Sequence, residues 1–269
     1  MSKRPLHVRL IETFFPLRFI LARLTRIEPV GRLVDRLLFE HDDLFYLPKD
    51  TVVEINHEVE QPESLVIPSQ VVEHFVDRAE HRFIMDFCIC REASQCEDYP
   101  LELGCLFLGE ATRHIDRSLG HEATREEALE HVRRCREAGL IHLIGRNKLD
   151  TRWLNAHPGE KLLTICNCCP CCCLWLMLPQ LNGTIAGKLH RMDGVSVSVG
   201  DACTGCGACV DACFVDAIAI EDGRAVIADE CRACGRCAET CPSQAIRVTI
   251  DSDAVERAIE RIDSVVEVG

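Results

Sequence analysis

Basic charge is what this 269-residue chain is short of. Its 30 Lys and Arg face 43 Asp and Glu, a formal net charge of −13. A protein whose main partner is nucleic acid needs the opposite balance, so that class is set aside. Nucleotide fingerprints are missing too: there is no G-x-G-x-x-G and no Walker loop, which removes the usual grounds for a flavin, nicotinamide or ATP site. The early apolar residues are interrupted by Arg18 and Arg23, and no small-residue cleavage site follows, so no secretory signal is expected. Charge is absent altogether from residues 162–187, long enough to raise the question of a membrane span. Six cysteines, Pro170, Pro179, Asn167, Gln180 and Asn182 lie in that run, and such a helix has no place in lipid, so no span is expected.

What the chain has in excess is cysteine, 19 residues. An odd count at metal-type spacing argues against a disulfide scaffold and for a reducing compartment, so a cytoplasmic location is expected. Eight of the cysteines fall in residues 203–241 as two copies of C-x2-C-x2-C-x3-C: Cys203, Cys206, Cys209 and Cys213, then Cys231, Cys234, Cys237 and Cys241. The copies are offset by 28 residues, and Gly207/Gly235, Ala217/Ala245 and Ile218/Ile246 match as well. Three thiolates at this pitch wrap one iron–sulfur cube. Paired structural zinc sites are the competing reading, but zinc has no use for the triplet pitch written twice. Gly205, Gly207 and Gly235 leave room for backbone N–H groups to approach sulfur.

The motif resembles the bacterial two-cluster ferredoxin over about residues 195–250. The resemblance implies two 4Fe–4S clusters with crossed ligands. Cys203, Cys206, Cys209 and Cys241 would hold one, and Cys231, Cys234, Cys237 and Cys213 the other. One position departs from the repeat: Pro242 follows the last cysteine of the second copy, and Phe214 stands at the equivalent place in the first.

A second set of cysteines lies upstream. Residues 166–173 read C-N-C-C-P-C-C-C, which supplies Cys166, Cys168, Cys169, Cys171, Cys172 and Cys173, and Cys88, Cys90, Cys96 and Cys105 precede them. Together these ten thiols suffice for further cubanes or for one larger cluster, with mononuclear zinc the competitor at one of the places. One run of eight residues is too short to surround a cube, so several of the earlier four are expected within reach of it. Arg91 is a candidate donor to a cluster sulfide, or an ordinary surface arginine. Cys135 falls on the apolar stripe of a helix and is read as packing. Outside the ferredoxin motif, C-I-C-R and C-N-C-C-P-C-C-C look like cysteine-rich ferredoxin-domain proteins of anaerobes. The spacing Cys135, Cys168-Cys169, Cys206-x2-Cys209 is also similar to the cysteine-rich motif of heterodisulfide reductases, although Cys206 and Cys209 are claimed by the ferredoxin motif and Pro170 stands where that family has Gly.

The expected fold is α+β, in four parts. Residues 1–47 form a basic helical arm, with eight Lys/Arg and four Asp/Glu up to Glu40 and apolar residues such as Phe14, Phe15, Phe19, Ile20, Leu24 and Ile27. It is expected to pack on its own domain, with peripheral membrane contact through residues 1–27 as the alternative. Residues 48–194 form a cysteine-rich α/β domain. Within it, Ser69 is a plausible helix N-cap, R-F-I-M-D-F-C-I-C from Arg82 reads as a strand that puts Cys88 and Cys90 on one face, and Thr124 with Glu127 forms a capping box before a stop at Gly139. Residues 195–250 are the ferredoxin unit and 251–269 a last helix. The expected function is single-electron transfer, as a carrier or wiring subunit serving a redox partner protein or an oxidoreductase complex. The alternatives are an iron–sulfur reductase whose upstream site acts on a thiol or disulfide, and a redox or metal sensor. Residues 195–269 carry fourteen Asp/Glu and six Lys/Arg, which suits docking on a basic face.

Overall fold

Hydrogen bonding sorts the strands into one large sheet, one small sheet and a hairpin. The structure is a computed structural model and describes residues 5–55 and 67–269; the first four residues of the arm and residues 56–66 lie outside the described residues. The strands, in chain order, are β1 (Asp43–Tyr46), β2 (Val53–Ile55), β3 (Arg82–Met85), β4 (Leu106–Leu108), β5 (Gly120–Glu122), β6 (Ile141–Arg146), β7 (Leu163–Cys168), β8 (Leu189–Arg191), β9 (Val195–Val199), β10 (Ile218–Glu221), β11 (Arg224–Ile227) and β12 (Ile246–Ile250). Seven of them form a sheet in the order β5-β3-β4-β7-β6-β1-β8. Every neighbour is antiparallel except β1 with β8. The upstream part is therefore not wound from parallel crossovers, as an α/β domain would be: β6 returns directly beside β7, which needs no crossover helix.

The α+β class holds for the chain as a whole. The helices are α1 (Leu6–Phe14), α2 (Arg18–Leu24), α3 (Glu28–Val34), α4 (Ser69–Arg78), α5 (Ile89–Ala93), α6 (Arg125–Glu137), α7 (Lys148–Trp153), α8 (Gly183–Ala186), α9 (Ala208–Asp211), α10 (Arg236–Glu239) and α11 (Ala254–Asp263). Helix α4 buries Val71, Val72, Phe75 and Val76, each contributing roughly 1.5–3 kcal/mol of transfer free energy. Its start differs from the expectation. Pro68 holds the N-cap position and Ser69 is the first helical residue, its N–H tied to Asp50 Oδ1 at 3.0 Å. Helix α6 starts at Thr124 with both hydrogen bonds of the capping box and is followed by Gly139 at φ 76°, worth about 1 kcal/mol for the cap alone.

The strand expected from Arg82 through Cys90 ends at Met85. Cys88 instead becomes the N-cap of α5, with Glu92 N–H bonded to Cys88 O and Ser94 N–H to Cys90 O. Alternation of apolar residues cannot see that turn, because a helix start at Cys88 keeps the same residues inward. Cys88 and Cys90 are thus neighbours across the first turn of a helix rather than along a strand.

The ferredoxin sheet and the upstream sheet share chain. Strands β9 and β12 pair antiparallel, β10 and β11 form a hairpin, and β2 adds to β12 in parallel. Strand β1, within the segment expected as arm, lies in the seven-stranded sheet. Helices α1 to α3 turn Val8, Phe15, Ala22 and Gly31 inward. They are clamped to residues 179–182: Arg26 donates to the carbonyls of Pro179 and Gln180, and Asn182 bonds Thr25 through both backbone and side chain. Among the described residues no helix is long and apolar enough to cross a membrane.

Candidate metal centres

The two ferredoxin copies fold alike. Each short helix, α9 or α10, is entered from a glycine in the left-handed region, Gly207 at φ 83° and Gly235 at φ 85°, a conformation that costs other residues free energy. The repeat extends to the hydrogen bonds on sulfur. Ala217 N–H points at Cys213 Sγ and Ala245 N–H at Cys241 Sγ, both at 3.3 Å, and Ala225 and Ala233 N–H groups do the same for Cys203 and Cys231. Such donors stabilise thiolate and reduced cluster alike. The N–H of Ala225 is the main reason the Cys203 thiol is held below its ordinary range.

One small pocket is lined by Cys203, Cys206, Cys209 and Cys241. Cys213 packs with Cys231 and Cys234 in one apolar cluster and also against the neighbouring cluster of Cys209 and Cys237, and its charge acts on Cys237. Four thiols with N–H groups on their sulfurs and glycines at the close approaches fit 4Fe–4S ligation. The tetrads differ in exposure: Cys206 is exposed, whereas Cys231 and Cys237 are buried.

Upstream, the ten thiols fall into two sets that meet at Cys169. Seven line a chamber of about 150 Å³: Cys88 and Cys90 at the start of α5, Cys105 before β4, Cys166 and Cys168 from β7, Cys169 directly after it, and Cys173 after the turn. Cys105 and Cys166 are 3.8 Å apart and Cys168 and Cys173 3.2 Å. Strand β7 delivers Cys166 and Cys168, and Pro170 turns the chain back so that Cys173 faces them. Where thiols crowd this closely, a hydrogen bond from one sulfur favours the thiolate of its neighbour. Hydrogen bonding from Cys90 brings Cys88 down to about 7, and Cys166 does most to hold Cys168 well below its ordinary range. Ile11, Phe15, Leu174 and both tryptophans, Trp153 and Trp175, close the apolar side. Asp150 lines the opposite wall, satisfied by Trp153, Thr164 and Asn147 and pushed up to about 6 by burial.

Four thiols, Cys96, Cys171, Cys172 and the shared Cys169, have their sulfurs all within 4.8 Å of one another. Cys135 packs beside them, fully buried in one cluster with Leu103, Leu140, Cys169 and Cys172, and desolvation pushes its thiol up to about 12.

Arg91 is not a surface arginine. It is completely buried, donates to the carbonyls of Asn167 (2.9 Å) and Leu103, and faces Cys88, Cys105 and Cys169. Two further residues escaped the sequence reading. Tyr46 in β1 is fully buried, its hydroxyl without a partner and its ring 5.0 Å from Phe214. Arg236 in α10 is buried with its guanidinium 5.3 Å from the Phe214 ring, and it donates to Cys168 O at 2.8 Å. Phe214 was visible as the one departure from the repeat; the structure explains it as the residue that docks the ferredoxin unit on β1 and β7.

These features define a ferredoxin-type iron–sulfur domain joined to a second, thiol-rich region. Residues 202–245 match the 4Fe-4S dicluster domain family. No curated protein and no solved structure matches the chain.

Proposed function

We propose that the chain transfers single electrons through the two crossed 4Fe–4S sites into the thiol-lined upstream chamber, which holds a further iron–sulfur cluster. Bound iron–sulfur clusters supply one-electron storage; the protein supplies ligation, burial and hydrogen bonds to sulfur. The observation that carries the reading is the contact between the two regions. The inward ferredoxin tetrad meets the chamber through Phe214, Tyr46 and the bond from Arg236 to Cys168 O, while the other tetrad presents exposed Cys206 to solvent. Electrons thus have an entry at the surface and an end in a closed site. Trp153, Trp175, Ile11 and Phe15 exclude water from that end.

A count of iron and acid-labile sulfide in the anaerobically purified full chain tests it. About twelve of each supports a cluster in the chamber, and about eight removes it. The second reading, a dithiol reductase, is favoured by one distance, the 3.2 Å between Cys168 and Cys173. Eight iron atoms together with a reversible two-electron loss of two titratable thiols would select it.

The arm gives the location of the partner. Helices α1 to α3 and the turn after them leave ten large apolar side chains exposed, from Leu6 at 72 % to Leu24 at 42 %. Arg9, Arg23, Arg26, Arg32 and Arg36 are exposed beside them, with Glu28 the exposed acid of the described arm. Apolar ridge and arginines together suit an anionic bilayer surface. Co-sedimentation with phosphatidylglycerol vesicles, lost in a Leu10→Glu, Leu21→Glu variant and absent with neutral vesicles, is the expected result; equal recovery in all three would remove this docking mode.

A further inference from the structure

The structure assigns Cys96, Cys169, Cys171 and Cys172 to a single tetrahedral, thiophilic metal ion, separate from every iron–sulfur cluster of the chain, with zinc the expected occupant. The compactness of a whole tetrad, rather than of one close pair, decides between an ion and a cube. Four thiolates around one zinc, each at about 2.3 Å, stand roughly 3.8 Å apart. Thiolates on a cubane each cap a different iron and stand roughly 6 Å apart. Here Cys171 Sγ lies 3.5 Å from both Cys96 Sγ and Cys172 Sγ, and all four sulfurs fit within 4.8 Å. The ferredoxin cysteines provide an internal comparison, because among the described residues they form no group so compact.

The set adjoins the chamber at Cys169, which lines both. Cys168 ends β7 facing the chamber, the turn at Pro170 leads to Cys171 and Cys172, which do not line it, and Cys173 comes back. Cys96 closes the tetrad from the loop after α5. Backbone N–H groups of Asp98 and Tyr99 bond its sulfur, the kind of outer support that orients a metal ligand. Buried Arg91 stands behind Cys169 and offsets part of the net negative charge that four thiolates leave on a dication. The ion would join two segments 73 residues apart, Cys96 and Cys169, and so fix the turn from which Cys168 and Cys173 enter the chamber.

The test uses the full chain purified anaerobically. Zinc analysis should give close to one equivalent, and zinc-edge X-ray absorption should give four sulfur neighbours at about 2.3 Å. Cys96→Ser and Cys171→Ser should each lose that equivalent while iron and acid-labile sulfide stay at the wild-type count. One extra iron with no matching sulfide and a ferric tetrathiolate signal also supports a mononuclear site. A loss of about four sulfides per chain in Cys96→Ser would mean a cluster there and overturn the assignment. So would wild-type protein with neither zinc nor sulfide-free iron. If the variants fail to fold, the wild-type absorption spectrum decides alone. The chamber reading fails separately, on a total sulfide near eight, whatever the zinc content.

Discussion

Replacing Arg236 by Met should lower the reduction potential of the inward ferredoxin cluster. Its guanidinium is 7 % exposed, hydrogen-bonded to Cys168 O, and its charge acts on both Cys234 and Cys168. Reduction adds a negative charge to the cluster, so a nearby cation favours the reduced state. With roughly 7 Å between charge and cluster and an effective dielectric near 20, the interaction is about 2 kcal/mol. For one electron that corresponds to a shift of roughly 50–100 mV downward, after some allowance for water that enters in place of the side chain. Redox titration followed by electron paramagnetic resonance measures it. Arg236→Lys keeps the charge and should recover most of the potential, which a purely structural role would not do. Arg224→Met, beside the exposed tetrad and itself well solvated, should shift its cluster by less than about 20 mV. A midpoint in Arg236→Met within about 15 mV of wild type, or an equal shift in the Lys variant, would refute the electrostatic account.

Crossed ligation makes Cys213→Ser act at a distance in sequence: the cluster held by Cys231, Cys234 and Cys237 should be lost, with about four fewer iron atoms per chain, while the other 4Fe–4S signal persists. Asp42 has only Lys148 N–H as donor, at 2.6 Å, and desolvation, assisted by the nearby Asp150, pushes it up to about 7. Its folded form therefore holds a proton that the unfolded carboxyl releases near pH 4, so stability from this group is complete below pH 4 and lost as pH rises through 7. Asp42→Asn should accordingly raise stability by about 1–3 kcal/mol at pH 8 and by less at pH 5, read from anaerobic thermal melts at the two pH values; the opposite ordering would reverse the assignment. Acidic residues around the ferredoxin unit should make electron delivery from a basic donor slow several-fold between ~20 and ~200 mM salt, as the screening length shrinks from roughly 20 to 7 Å, and a rate indifferent to salt would leave solubility as their role.

The ferredoxin unit was legible because its information is covalent. Eight cysteines at fixed pitch, repeated with their alanines and isoleucines, leave few ways to wrap the chain, and β9 through β12 follow from the same repeat. The capping box at Thr124 was legible for the same reason: two residues three apart supply both bonds. What the pattern could not carry was anything decided by a distant segment. Burial of Arg91 depends on the carbonyls of Leu103 and Asn167, 12 and 76 residues away. Tyr46 looked like part of an arm because its partners come from β6 and β8. The grouping of the ten thiols around two centres that meet at Cys169 depends on which way the chain leaves Pro170, a turn that spacing does not encode. The segment Arg82 through Cys90 misled because apolar alternation and a short helix start agree over so few residues.

The two buried arginines argue together for where negative charge resides. Arg91 and Arg236 are the buried cations of the described residues, and neither forms an ion pair with a carboxylate there; both donate to backbone carbonyls. Burying a guanidinium against neutral groups alone is costly, several kcal/mol by the measure of unpaired interior charges. The groups that face them are sulfurs: Cys88, Cys105 and Cys169 for Arg91, Cys168 and Cys234 for Arg236. Neutral thiols would leave that cost standing, since a thiol carries little charge to oppose it. Thiolates remove it, and thiolates packed within 4 Å of one another repel unless a metal ion or cluster lies between them. Metal-bound sulfur on both sides of residues 166–173, as proposed above, would account for the placement of the cations. It also gives each arginine a different task, Arg91 between the chamber and the four-thiol set, Arg236 between the chamber and the inward ferredoxin tetrad. An electron arriving at that tetrad would meet a positive charge on the side from which it must leave.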